Sequence, residues 1–99
     1  MAAYLIGDVE VLDAAGYEAY RQQVPATVAA YGGHYLARGG AIERLEGSWA
    51  PSRCVVLEFP SMAQLKIWWN SPEYVPLRAL RERTTRSNII VIEGVATVP

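Results

Sequence analysis

Ninety-nine residues with nine basic and ten acidic side chains carry a net charge of −1, which excludes the clustered cations that binding to a nucleic-acid backbone requires. A hydrophobic share of 52% against 19% charged suits a single domain, residues 1–99, with an apolar surplus that a homodimer interface would absorb. One cysteine, Cys54, excludes an intramolecular disulfide and fits a reducing compartment.

The chain opens with MAAYLIGDVEV, which has no basic region and meets Asp8 early. That is unlike a secretory leader. No apolar run reaches the ~20 residues of a membrane span. The expectation is therefore a soluble, cytoplasmic protein without membrane or nucleic-acid partners. Residues 3–11 are rich in β-formers and alternate in polarity, which predicts a first strand. Asp13 can cap a helix whose Tyr17, Tyr20, Val24, Val28 and Tyr31 follow three-to-four spacing. Pro25 lies inside that pattern and predicts a kink or break, while Gly32-Gly33 supplies the stop.

A second strand is expected over 34–46, distorted at Gly39-Gly40, because glycine weakens a regular strand. GSWAPS (47–52) reads as a loop and RCVVLEF (53–59) as a third strand. Pro60 ends it, and Ser61-Met62-Ala63-Gln64 has capping-box spacing for a second helix carrying Trp68 and Trp69. Asn70-Ser71-Pro72-Glu73-Tyr74 suits a new cap and first turn. The helix that follows is expected to run to about Arg86, with Pro76 as a point of restart. Residues 88–96 complete the pattern as a last strand.

This order is βαββαβ with its second helix broken, the ferredoxin-like α+β arrangement of a four-stranded antiparallel sheet with helices on one face. Strand parity groups Asp8, His34, Arg38 and Glu58 on a mixed face. Leu5, Val9, Val55, Leu57, Phe59, Ile90 and Ile92 are expected on the apolar face under the helices. Any parity shift is expected after Gly39, so that His34 and Arg38 stay on one side.

YGGHYLARGG, VLEFPSM and NSPEY, in that order and spacing, resemble an uncharacterised bacterial family, domain-of-unknown-function family thirteen-thirty. The resemblance runs from YLIGDVEV to the final strand. Where this chain has His34 the family usually carries a basic residue. The resemblance implies the dimeric α/β-barrel superfamily, in which two ferredoxin-like sheets form one barrel. That superfamily includes cofactor-free monooxygenases, haem-degrading enzymes, isomerases and lyases, and members with no established activity. It supplies no catalytic residue to transfer.

The candidate residues are therefore weighed one by one. His34 can serve as a general base or as a hydrogen-bonded strand residue. Arg38 and Glu58 fit a cross-strand ion pair, and in a cavity Arg38 offers a fork for a carboxylate or enolate. Asp8, Trp68 and Tyr74 are the further candidates for contact with a ligand, although Trp68 and Tyr74 suit the core equally. Arg78, Arg81, Glu82, Arg83 and Arg86 read as a solvated helix face with ion pairs at i,i+4. One His and one Cys without ligand spacing make no closed metal site, and no phosphate loop is present. No cofactor is expected.

The resulting expectation is a dimer that binds a small aromatic or carboxylate-bearing molecule in a barrel cavity without a metal. Whether it transforms that molecule stays open. The alternative is a non-catalytic ligand-binding or structural dimerisation module.

Overall fold

The computed structural model describes residues 1–96; the last three residues of the expected domain lie outside the described part. Its elements are β1 (Ala3–Val11), α1 (Ala14–Ala30), β2 (His34–Arg38), β3 (Cys54–Phe59), α2 (Met62–Trp69), α3 (Val75–Thr84) and β4 (Thr85–Glu93). The sheet order is β2-β3-β1-β4, and every pairing is antiparallel. This is the ferredoxin-like α+β arrangement, with both central strands, β1 and β3, flanked by edge strands. Among the described residues, no helix is long and apolar enough to cross a membrane.

Local chemistry sets most of the boundaries. The Asp13 carboxylate accepts from the Gly16 N–H at 3.2 Å and opens α1. At the other end Gly33 N donates to Val28 O (2.9 Å) and Gly32 N to Ala29 O (3.1 Å), with Gly32 at φ +82°. This Schellman closure needs the left-handed conformation that glycine adopts cheaply. Gly33 is required for another reason: a Cβ there would lie 2.5 Å from the buried Phe59 ring. Ser61 caps α2 by accepting from Gln64 N at 3.0 Å.

The core lies between the helices and one face of the sheet. Ala3, Leu5 and Val9 of β1 and Leu57 and Phe59 of β3 meet Tyr17, Tyr20, Val24 and Val28 of α1. Trp68 and Tyr74, each 1% exposed, stack at 4.0 Å between ring centroids. Burial of two such rings is a large part of what fixes the helices on the sheet.

Four expectations need correction. α1 runs through Pro25 unbroken to Ala30. The strand expected over 34–46 stops at Arg38, where Gly39 turns the chain at φ +67°. α3 ends at Thr84, so β4 begins at residue 85 rather than 88. Arg86 thus belongs to a strand, where it pairs with Glu10 across the sheet at 3.1 Å instead of with Glu82 along a helix. Finally, Ile90 and Ile92 point away from the helices. They oppose Ile6 and Tyr4 on the outer face and are 59% and 52% exposed.

Candidate functional site

The distortion in β2 decides which side chains meet. His34 opposes Glu58 and Tyr35 opposes Leu57, yet Ala37 opposes Val56 and Arg38 opposes Val55. Leu36 is therefore the extra residue of a bulge, and a bulge reverses the alternation beyond it. It precedes Arg38 rather than following Gly39. His34 faces outward with Glu58, whereas Arg38 turns under the helices. The expected shared face of His34 and Arg38, and the expected Arg38–Glu58 pair, are both corrected by this single residue.

On the outer face His34 Nε2 lies 2.9 Å from Glu58 Oε1, so the partner of Glu58 is His34. Tyr4, opposite Glu58 on β1, has its hydroxyl held above the ordinary phenol range by hydrogen bonding to that carboxylate. Asp8 lies farther along this face. Its two carboxylate oxygens accept from Trp49 Nε1 (3.1 Å) and Ser52 N (2.9 Å), which pins the 47–52 loop to the sheet. Asp8, His34 and Glu58 thus share the outer face and do not line the space that Arg38 enters.

That space is a cleft between sheet and helices of about 480 Å³, counted out to its open mouth. Leu5, Val9, Val55 and Leu57 floor it, and Tyr17, Tyr20, Tyr35, Trp68, Trp69 and Tyr74 form aromatic walls. As the side chains stand, a water-sized body has only about 30 Å³ in which to move. Occupation by anything larger requires the rings to shift.

Three arginines line the cleft, and their circumstances differ. Arg21 is engaged by Glu18, with Nε and Nη2 donating at 2.8 and 2.7 Å. Arg38 lies 4.9 Å from the Tyr35 ring centroid, and its Nη2 donates to the main-chain carbonyl of Arg21. That carbonyl is the one whose helical donor would be the N–H of residue 25, and proline has none. Pro25 and Arg38 are therefore complementary. Loss of a helical hydrogen bond is made good from the strand below, which explains how α1 continues.

Arg81 is the third. It is 5% exposed, and its enclosed Nε has no hydrogen-bond partner among the described residues. No carboxylate among them forms an ion pair with it; its neighbours are the Tyr74 hydroxyl and the Trp69 ring, whose centroid is 5.8 Å from the guanidinium carbon. Beside it the Tyr20 and Tyr74 hydroxyls are hydrogen-bonded to each other at 3.0 Å in a buried setting. Burial drives the Tyr20 hydroxyl far above the ordinary phenol range and that of Tyr35 to about 12, so both stay protonated at neutral pH.

Of the sequence-derived candidates, the cleft gathers Arg38, Trp68 and Tyr74. Arg81, Tyr20 and Tyr35 complete it and were not singled out from the sequence. The run of charges around it points to a solvated helix face, but the structure buries Arg81. Its signal is the stripe Tyr74, Leu77, Arg81 and Thr84, whose three-to-four spacing marks the buried side of α3.

No curated protein matches the sequence. Among solved structures the chain is similar to a protein of unknown function from Rhodopseudomonas palustris, with TM-score 0.78 and 17% identity over 97% of this chain and 84% of that one. It is also similar to SnoaB, a cofactor-independent oxygenase from Streptomyces nogalater, at TM-score 0.65 and 14% identity over 99% and 97% of the two chains. A Mycobacterium tuberculosis protein, Rv0793, shares 16% identity at TM-score 0.56 over the full length of both. At these identities the likeness establishes the fold and does not extend to chemistry. The sequence itself matches one family over residues 2–95, so the chain belongs to the family described as Domain of unknown function (DUF1330).

Proposed function

We propose that this single-domain protein binds a small aromatic or carboxylate-bearing molecule in the cleft between its sheet and helices, working as a cytoplasmic homodimer without a metal. The observation that carries the reading is Arg81. A guanidinium at 5% exposure with no carboxylate partner among the described residues is costly to bury. It stands in an aromatic cleft that opens to solvent, a combination suited to a flat anion.

In this reading Arg38, Trp68 and Tyr74 contact the ligand. His34 and Glu58 are a proton-handling pair of the outer face, and Asp8 serves by holding the 47–52 loop. The homodimer is supported by that same face. Its row of Val56, Ile6 and Ile90 is apolar and lacks a covering layer among the described residues, with Ile92 beside it. An antiparallel sheet tolerates water on a polar face, and here an apolar strip interrupts the polar side chains of Asp8, His34 and Glu58.

The neighbouring oxygenase SnoaB is described as cofactor-independent, and turnover of the bound molecule without a cofactor is the enzymatic form of the proposal. A non-catalytic dimerisation module is the second reading. It is favoured by the narrowness of the cleft, where only about 30 Å³ is open as the rings stand.

Thermal melting in the presence of aromatic acids, and of aliphatic acids of equal charge, tests binding. The proposal expects the aromatic acids to raise the melting temperature in proportion to the logarithm of their concentration. No shift with any aromatic acid at millimolar concentration would leave the dimerisation module as the better reading.

A further inference from the structure

We infer that Arg81, with the paired hydroxyls of Tyr20 and Tyr74, is the seat of the ligand's carboxylate, and that the ligand class is an aromatic monocarboxylate inserted acid-first. This rests on the cleft being the binding site. It goes further by fixing the ligand's charge, its orientation and the residues that select it.

Charge accounting within the cleft singles out Arg81. Of the three guanidinium groups, Arg21 is neutralised by the two contacts from Glu18 at 2.7 and 2.8 Å. Arg38 is committed to the Arg21 carbonyl. Neither Arg38 nor Arg81 has a carboxylate partner among the described residues, but of the three only Arg81 has an enclosed Nε without an acceptor. The fully enclosed uncompensated positive charge is therefore that of Arg81.

Donor accounting gives the same place. Two phenol hydroxyls bring two protons, and their mutual bond at 3.0 Å uses one. The other, together with the Nε–H of Arg81, needs an acceptor. A carboxylate has two oxygens with lone pairs in one plane, and it accepts from a guanidinium and a neighbouring hydroxyl at once. Its negative charge complements the enclosed guanidinium of Arg81. Most of the rest of the lining, from Leu5 and Val24 to the rings of Trp68 and Trp69, is apolar or aromatic and suits a flat body behind that head group.

Benzoate and benzamide test this, because they share ring and planar shape and differ in charge. Each is titrated into the wild-type protein, Arg81→Gln, Tyr74→Phe and Arg86→Gln, with the indole N–H resonances of Trp68 and Trp69 as readout. Benzoate should bind the wild type at least about tenfold more tightly than benzamide, the fold-change of one charge-assisted hydrogen bond. The preference should fall to about twofold or less in Arg81→Gln and shrink in Tyr74→Phe, and it should persist in Arg86→Gln, whose side chain pairs with Glu10 on the outer face.

Circular dichroism establishes that each variant is folded. Tyr74→Phe keeps the ring stacked on Trp68, so it tests the proposal even if Arg81→Gln fails to fold. Equal binding of the two probes by the wild type would overturn the acid-first seat while leaving the cleft as a binding site. A preference undiminished in Tyr74→Phe and in whichever Arg81 variant folds would also overturn it. Binding of neither probe would overturn both this inference and the proposed function.

Discussion

The guanidinium of Arg38 donates to the main-chain carbonyl of Arg21, the carbonyl that Pro25 deprives of its helical donor. One side chain thus lines the cleft and repairs the helix above it. Pro25→Ala would restore an N–H that competes for the same carbonyl. Proline in a helix interior costs about 3 kcal/mol relative to alanine, less about 0.4–1 kcal/mol for its stiffening of the unfolded chain. With the Arg38 bond already offsetting part of the cost, Pro25→Ala should stabilise the protein by roughly 1–2 kcal/mol. The sharper test is a double-mutant cycle in urea. Arg38→Ala should cost about 1 kcal/mol in the wild type and clearly less in the Pro25→Ala background. Equal costs in both would mean that the two residues are not coupled.

The Tyr20–Tyr74 pair makes a different prediction. Tyr74→Phe keeps the ring but leaves the buried Tyr20 hydroxyl without its partner. A buried polar group deprived of its bond costs about 1–3 kcal/mol. Removing Tyr20's hydroxyl as well should recover part of that loss, so the double variant should be less destabilised than the two singles summed. Urea titration of the four proteins measures this, and strict additivity would contradict it.

Alkaline pH should weaken the fold through the same residues. Burial raises the folded-state pKa of Tyr35 to about 12 and moves that of Tyr20 in the same direction, from the ordinary value of 10.0. Between pH 10 and 12 the folded state therefore holds protons that the unfolded chain has released, and stability falls as pH rises. It is fully present below pH 10. Tyr35→Phe should reduce the slope of unfolding free energy against pH in this window by about one proton. An unchanged slope would show that Tyr35 ionises alike in both states.

Gly33→Ala should be among the harmful small substitutions. Its Cβ would meet the Phe59 ring at 2.5 Å, and Phe59 is 1% exposed. Overpacking of this kind costs roughly 1–3 kcal/mol. A melting temperature within about a degree of the wild type would mean that Phe59 moves aside without penalty.

How far the sequence reveals this protein depends on what each feature needs. β1, α2 and both capped helix starts announce themselves locally, because Asp13, Ser61 and the Gly32-Gly33 stop act on their own backbone neighbours. The end of α1 at Gly32 is legible for that reason, although its continuity through Pro25 is not. That continuity depends on Arg38, a residue brought near only by folding.

The bulge at Leu36 is the most consequential hidden feature. It has no residue signature distinct from the nearby glycines, yet it turns Arg38 from the outer face to the cleft. Alternation then misleads for every residue after it in the strand. Arg81 was obscured differently. It lies among Arg78, Glu82, Arg83 and Arg86, and a count of charges suggests a wet helix face. Its spacing from Tyr74 and Leu77 places it inside.

On the proposed reading, ligand enters the cleft under the helices and not the outer face of the sheet. The three tryptophans test it directly, since Trp68 and Trp69 line the cleft and Trp49 is hydrogen-bonded to Asp8 on the outer face. Their three indole N–H resonances, each assigned by a Trp→Phe variant, can be followed during one titration with benzoate. Binding in the cleft should move the Trp68 and Trp69 signals together on a saturable curve while that of Trp49 stays fixed. Movement of Trp49 with the other two unchanged would put the ligand on the outer face, with Asp8 and His34, and would contradict it.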